Sequence, residues 1–192
     1  MTIDGLDDDC WLLLHEVRLR GVVERGEGAV EMRVVQAGLV ARVPKGLRLT
    51  PEGRELHTEW ARISEEAIET AVERSYTRFL DLNRELIRVC NDWQVRPGGV
   101  PNDHADPTYD WSIIDRLVVI DDRVAPILRS TASNVGRFGS YRPRLRSARE
   151  RVNEGEHEWL TSPRIDSYHT VWMQLHEDLL LALGRDRASE GD

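Results

Sequence analysis

The chain has 192 residues, 40% of them hydrophobic and 31% charged, with a formal net charge of −8. That composition fits a globular protein of one domain, or a small domain joined to a helical one, and it excludes polyanion binding driven by overall charge. No apolar run approaches the ~18 residues of a membrane helix, and the acidic opening MTIDGLDDDC lacks the basic start of a secretory leader. A cytoplasmic protein with no membrane contact is therefore expected. Cys10 and Cys90 are the only cysteines, too few and too far apart for a disulfide framework or a CxxC metal knuckle.

Residues 7–20 read as a first helix. Asp7, Asp8 and Asp9 suit its positive end, and Leu12, Leu13, Val17 and Leu19 supply an apolar face. Trp11 and His15 share one side. With no acidic or histidine partner nearby in sequence, His15 reads as a packed or surface histidine rather than a ligand. Residues 21–28, GVVERGEG, are too few for a helix plus a turn, which need roughly fifteen. Residues 29–37 form a short helix with Val30, Val34 and Val35 inward and Glu31, Arg33 and Gln36 outward. Gly38 follows it in the position that favours a left-handed residue. A strand over 39–43, a turn at Pro44-Lys45-Gly46 and a return over 47–49 make a hairpin. Thr50 then caps a new helix with Pro51 in its first position; Gly53 stands where a capping-box glutamate would be. The bases here are local: Arg33, Arg42, Lys45, Arg48 and Arg54 face only Glu52.

This order of short helix, "GLV", basic hairpin and "LTPEGR" resembles the recognition helix, wing and following helix of MarR-like winged-helix transcriptional regulators. The resemblance covers about a third of the chain. It implies a winged helix-turn-helix with a shortened second helix and a two-stranded wing, occupying residues 1–63. It further implies contact with double-stranded DNA. Arg42, Lys45 and Arg48 would hold phosphates or the minor groove from the wing, and Arg33 and Gln36 would be the base-edge candidates. Glu27 and Glu31 stand at the leading end of the recognition helix, where carboxylates repel phosphate. In such regulators a long helix leaving the wing often builds a dimer interface, so a homodimer is expected.

The remainder, residues 64–192, reads as all-helical. Residues 51–93 hold two long amphipathic segments or one bent helix. Residues 95–109, VRPGGVPNDHADPTY, are expected to be irregular because of their three prolines and two glycines. Asn102, Asp103, His104 and Asp106 lack any recognised metal-ligand spacing and read as turn and capping chemistry. A helix over 110–133 offers Trp111, Ile114, Leu117, Val118, Val124 and Leu128 as core, with a kink at Pro126. The next helix, 143–153, belongs to an arginine cluster: Arg137, Arg142, Arg144, Arg146, Arg149 and Arg151 against Glu150. Pairing with the protein's excess acid is the favoured reading of that cluster, ahead of an anionic-ligand site. A last helix over 167–183 is capped by Asp166, and the tail from 185 is expected to be disordered. This C-terminal run is similar to a helical segment that follows winged-helix heads in actinobacterial proteins of unassigned role.

No nucleophile elbow, P-loop, dinucleotide fingerprint or HExxH occurs, so neither an enzyme nor a cofactor is expected, and the spacing of His169 and His176 argues against a metal. The reading is a DNA-binding transcriptional regulator whose helical part dimerises and senses a small-molecule effector. A pocket between the 76–93 and 167–183 helices would be lined by Trp93, His104, Trp111, His169 and Trp172. The alternative is a protein- or ligand-binding module that keeps the winged-helix fold without reading DNA.

Overall fold

A computed structural model describes residues 6–24 and 26–185. Eight α-helices, one 3-10 turn and two small antiparallel hairpins lie among them, so the mainly helical class read from the sequence holds. The described residues divide into two compact units, 6–64 with 177–185, and 65–176. The sequence reading ended its first unit at residue 63 and gave everything later to the second. In the structure residues 177–185 group with the N-terminal unit.

The first unit begins with α1 (Asp8–Arg20), capped by Asp7, whose carboxylate accepts from the Cys10 N–H at 3.1 Å. No helix occurs at the described positions of 21–28. Instead Val23 forms one antiparallel bridge to Leu47, with N–H···O distances of 3.1 and 2.9 Å. Next comes α2 (Ala29–Gln36), which buries Val34 completely, and Gly38 takes the left-handed conformation at φ 73°. Strands β1 (Val40–Val43) and β2 (Gly46–Leu49) pair around Pro44-Lys45, with Val40 opposite Leu49 and Arg42 opposite Leu47. Gly46 sits at φ 131°, and a Cβ there would lie 2.1 Å from the Val23 carbonyl oxygen. Only glycine lets the Val23 segment close on the hairpin.

The next helix, α3 (Pro51–Ala61), is started by Thr50, whose Oγ1 accepts from Gly53 N–H at 3.0 Å and donates to Gly38 O at 2.7 Å. One hydroxyl thus ties the end of α2 to the start of α3. Thr50→Ala should cost about 1–2 kcal/mol in urea unfolding, the ordinary price of a lost cap, while Thr50→Ser should recover most of it. Equal stability of the alanine variant would show that the cap is idle. The unit closes over Cys10, Leu14, Val17, Val34, Leu39 and Leu47, each at most 2% exposed.

In the second unit, α4 (Glu66–Gln94) and α5 (Pro107–Asn134) run antiparallel, as the ion pairs Asp92–Arg116 (2.6 Å) and Glu85–Arg123 (2.5 Å) require. Their connection is less irregular than expected. Val95–Arg96 (β3) pairs with Val100–Pro101 (β4) around Pro97-Gly98-Gly99, the prolines sitting in the turn and at a strand end where no ladder N–H is missed. α5 starts at Pro107 rather than residue 110, because Asp106 caps it by accepting from Thr108 and Tyr109 N–H. It continues through Pro126 as a single helix.

Trp111, expected in the core, is 48% exposed. It falls one position off the Asp110, Ile113, Ile114, Leu117 stripe that turns inward. After a 3-10 turn (Gly136–Ser140) come α6 (Tyr141–Asn153), α7 (Glu158–Thr161) and α8 (Tyr168–Ala182). Asp166 does not cap α8: Ser167 Oγ accepts from Thr170 N–H at 3.2 Å, and Asp166 is engaged by Arg144 at 3.0 Å. None of the described helices is long and apolar enough to cross a membrane. The tail 186–192, expected to be disordered, lies outside the described residues, as does the start 1–5.

Candidate functional site

The five residues singled out for DNA contact lie on α2 and the β1–β2 hairpin, and they are not equivalent. Opposed residues of an antiparallel pair share a face, so Arg42 and Leu47 lie on one side of the hairpin while Ala41 and Arg48 lie on the other. Arg42 is 3.8 Å from the Glu27 carboxylate. Lys45 occupies the turn and Arg48 the outer face; both are exposed and neither has an ion-pair partner among the described residues. On α2, Gln36 is exposed, but Arg33 donates to Asp7 at 2.6 Å. That contact, with the capping bonds, holds the Asp7 carboxyl down at about 2. The sequence placed Arg33 outward correctly and did not anticipate its acidic partner 26 residues earlier.

The five residues singled out for ligand contact lie in the second unit. Two of them meet: the His104 ring sits over Trp93 with centroids 4.4 Å apart. His104 is the one described non-glycine residue in the left-handed region, at φ 57°, a conformation with a steric cost that surrounding contacts must hold. Asp110, 3% exposed, accepts from His104 Nδ1 at 3.0 Å and from Asn102 Nδ2 at 2.8 Å. Asn102 Nδ2 also donates to the Trp93 carbonyl at 3.1 Å. Trp172 is fully buried, its ring 4.8 Å from Phe79 and its Nε1–H donating to Asn83 Oδ1 at 2.9 Å. His176 packs beside it, 3.5 Å from the Tyr76 hydroxyl. Where the pocket was expected, α4 and this part of α8 meet by ring packing. His169 is half-buried, and desolvation lowers its pKa, whereas Trp111 stands exposed on α5.

The structure also assembles two buried polar networks that no local pattern announced. In the first unit, His15 Nε2 is 3.1 Å from Asp178 Oδ2, and its Nδ1 is 3.0 Å from His57 Nε2. A carboxylate only accepts, so His15 donates through Nε2 and His57 donates to its Nδ1. The stacked rings of Trp11 and Trp60, 5.4 Å apart, border the pair, with Trp60 edge-on to His15. His15 is thus a packed histidine, as read, but one with partners 42 and 163 residues away.

In the second unit, fully buried Asp121 receives Arg142 at 2.6 Å, Arg149 at 3.1 Å and the Tyr168 hydroxyl at 3.2 Å. Arg144 reaches Asp166 and Gln174, Arg146 reaches Glu150, and Arg151 reaches Glu156. The arginine cluster is therefore largely engaged by the protein's own acids. The thiol of Cys90 is pushed up to about 12 by burial, so it stays protonated and inert.

No family model, no curated protein and no solved structure matches the chain.

Proposed function

We propose that the chain is a winged-helix transcriptional regulator whose first unit contacts double-stranded DNA through the β1–β2 hairpin and the outward face of α2. The observation that carries this reading is the order α1, Val23, α2, β1, β2, α3, with Val23 joined to Leu47 of the hairpin by a single antiparallel bridge. That order supports a winged helix lacking its second helix. Lys45 and Arg48 supply phosphate contacts at the exposed end of the hairpin, and Gln36 supplies the base-edge candidate. Arg33 contributes only if DNA displaces Asp7. The unit works as a homodimer placing two hairpins on neighbouring half-sites, and the helical unit carries the effector response.

Fluorescence anisotropy with a random duplex across a salt series tests the reading. Lys45→Ala with Arg48→Ala should weaken binding to every sequence and flatten the log–log salt slope by about two, one per lost phosphate contact. Unchanged affinity and slope in the double variant, or no binding by the native protein at low salt, rejects it.

A second reading, a protein-binding module that no longer reads DNA, is favoured by one feature. A groove of about 450 Å³ lies between α1 and α2, lined by Leu12, Leu13, Ala29 and Val30 together with Asp9, Glu16 and Glu31. Its three carboxylates repel a phosphate backbone. Absence of DNA binding would make this the better account.

A further inference from the structure

We infer that His104 and His157 together form a binding site for a divalent transition-metal ion on the second unit, and that the ion is held by these two imidazoles with water completing its shell. The inference is independent of whether the first unit reads DNA.

It starts from the protonation pattern that the hydrogen bonds impose on His104. An asparagine amide has two hydrogens to give. Asn102 Nδ2 lies 2.8 Å from Asp110 Oδ1, 3.1 Å from the Trp93 carbonyl and 3.2 Å from His104 Nδ1, and its two hydrogens go to the two shorter contacts. The other Asp110 oxygen, Oδ2, lies 3.0 Å from His104 Nδ1, and a carboxylate only accepts. His104 Nδ1 therefore carries the ring proton, which leaves the Nε2 lone pair as the acceptor of the neutral ring. A buried carboxylate fixing one imidazole nitrogen while the other is left to ligate is the arrangement that orients metal-bound histidines and raises their basicity. Here that carboxylate is 3% exposed and anchored by Asn102, so the ring is held before any ion arrives.

The backbone agrees. His104 is held at φ 57°, where a non-glycine residue carries a steric cost. The loop accepts that cost while presenting an imidazole over Trp93.

The second ligand comes from beyond α6. His157, exposed just before α7, packs roughly perpendicular to the same indole, with centroids 5.2 Å apart at 87°. The two imidazole centroids are then 6.0 Å apart. With metal–nitrogen bonds of ~2.0–2.1 Å, two imidazoles sharing one ion hold their centres roughly 5–6 Å apart. A small rotation of the exposed His157 side chain meets that spacing.

The carboxylates of Asp103 and Glu158 adjoin the two histidines in sequence, while that of Glu156 is paired with Arg151; the first two favour a cation over an anion. No group of three metal-ligating side chains exists among the described residues, so the ion keeps open positions and exchanges. Imidazole ligands select Cu²⁺, Ni²⁺ and Zn²⁺ over Mg²⁺ or Ca²⁺.

Isothermal titration of the untagged full chain with Cu²⁺, Zn²⁺ and Mg²⁺ salts tests this, alongside His104→Gln and His157→Gln. His157 is exposed, so His157→Gln should match the native protein in circular dichroism and Tm, whereas His104→Gln withdraws a donor from buried Asp110 and should keep the native circular dichroism with a somewhat lower Tm. The native chain should take up one Cu²⁺ or Zn²⁺ at a saturable site and no Mg²⁺, with Cu²⁺ quenching part of the tryptophan emission through Trp93. Each single variant should lose that site and that quenching. Native-like binding in His104→Gln, native-like binding in His157→Gln, or no saturable uptake by the native chain overturns the proposal.

Discussion

Gly53→Ala should cost the first unit at least about 3 kcal/mol, with a cooperative loss of structure at correspondingly lower urea. Helix propensity alone gives the opposite sign. Gly53 lies in the first turn of α3, and replacing a helical glycine by alanine normally stabilises by roughly 1 kcal/mol. Packing decides against that gain. A Cβ at Gly53 would sit 1.9 Å from the Leu39 carbonyl oxygen and 2.8 Å from its carbon, and the obstacle is backbone rather than a flexible side-chain end. The start of α3 would have to retreat from Leu39. Retreat breaks the Thr50 N–H to Leu39 O bond of 3.0 Å and strains the cap that Thr50 makes on Gly53 itself.

The same contact explains why glycine stands where a capping box would have glutamate: the two segments touch there. A control separates steric overlap from backbone strain. Gly38 is left-handed at φ 73° with nothing within 4 Å of its would-be Cβ, so Gly38→Ala should cost only about 1–2 kcal/mol. A Gly53→Ala protein as stable as the native one would mean that α3 does not approach Leu39 as described.

What the sequence disclosed follows from how far its signals reach. The glycine at 38, the hairpin turn (expected over Pro44-Lys45-Gly46, with Gly46 already in β2), Thr50 and Pro51 are all local chemistry, and each lies within a residue or two of its expected place. So is the shortness of 21–28, a matter of counting. The Val23–Leu47 bridge was invisible because a single bridged residue leaves no alternation to detect. The partners of His15 were invisible for a different reason. Asp178 lies 163 residues away, beyond the reach of any local pattern. The arginine cluster was read as internally neutralised, and most of it is, but nothing in its spacing pointed to Asp121 as the acid at its centre. Trp111 misled because it stands three residues before Ile114, in helical spacing but at the edge of the buried stripe. At one position off the stripe even a large ring faces solvent. His104 and Trp93 were chosen on residue type alone. What brings them together is the left-handed turn at His104, which a sequence without glycine there does not advertise.

Asp121→Ala should be the most damaging single change in the second unit, at about 3 kcal/mol or more. The carboxylate is fully buried and takes Arg142, Arg149 and the Tyr168 hydroxyl. Removing it leaves two guanidinium groups facing each other with no acid between them. The cost falls toward the lower end of the 3–5 kcal/mol typical of such losses, because the Arg142 and Arg149 side chains are 29% and 20% exposed and can turn partly to water.

Asp121→Asn should cost less than alanine, since the amide oxygen still accepts one guanidinium, though its N–H₂ meets the other. Tyr168 supplies an independent reading of the same site. Burial first, and the Asp121 charge second, push its phenol well above the ordinary value near 10. The folded chain therefore keeps that proton where the unfolded chain releases it. Stability from this residue is fully present below pH ~10 and is lost as pH rises beyond it. In Tyr168→Phe the alkaline decline should be shallower, even though the variant is less stable at neutral pH for want of its hydrogen bond. Denaturant unfolding of the native chain, Asp121→Ala and Tyr168→Phe at pH 7 and pH 11 checks both expectations. An Asp121→Ala protein within about 1 kcal/mol of the native one at pH 7 would show that the arginines find water easily and that the buried ion pairs contribute little.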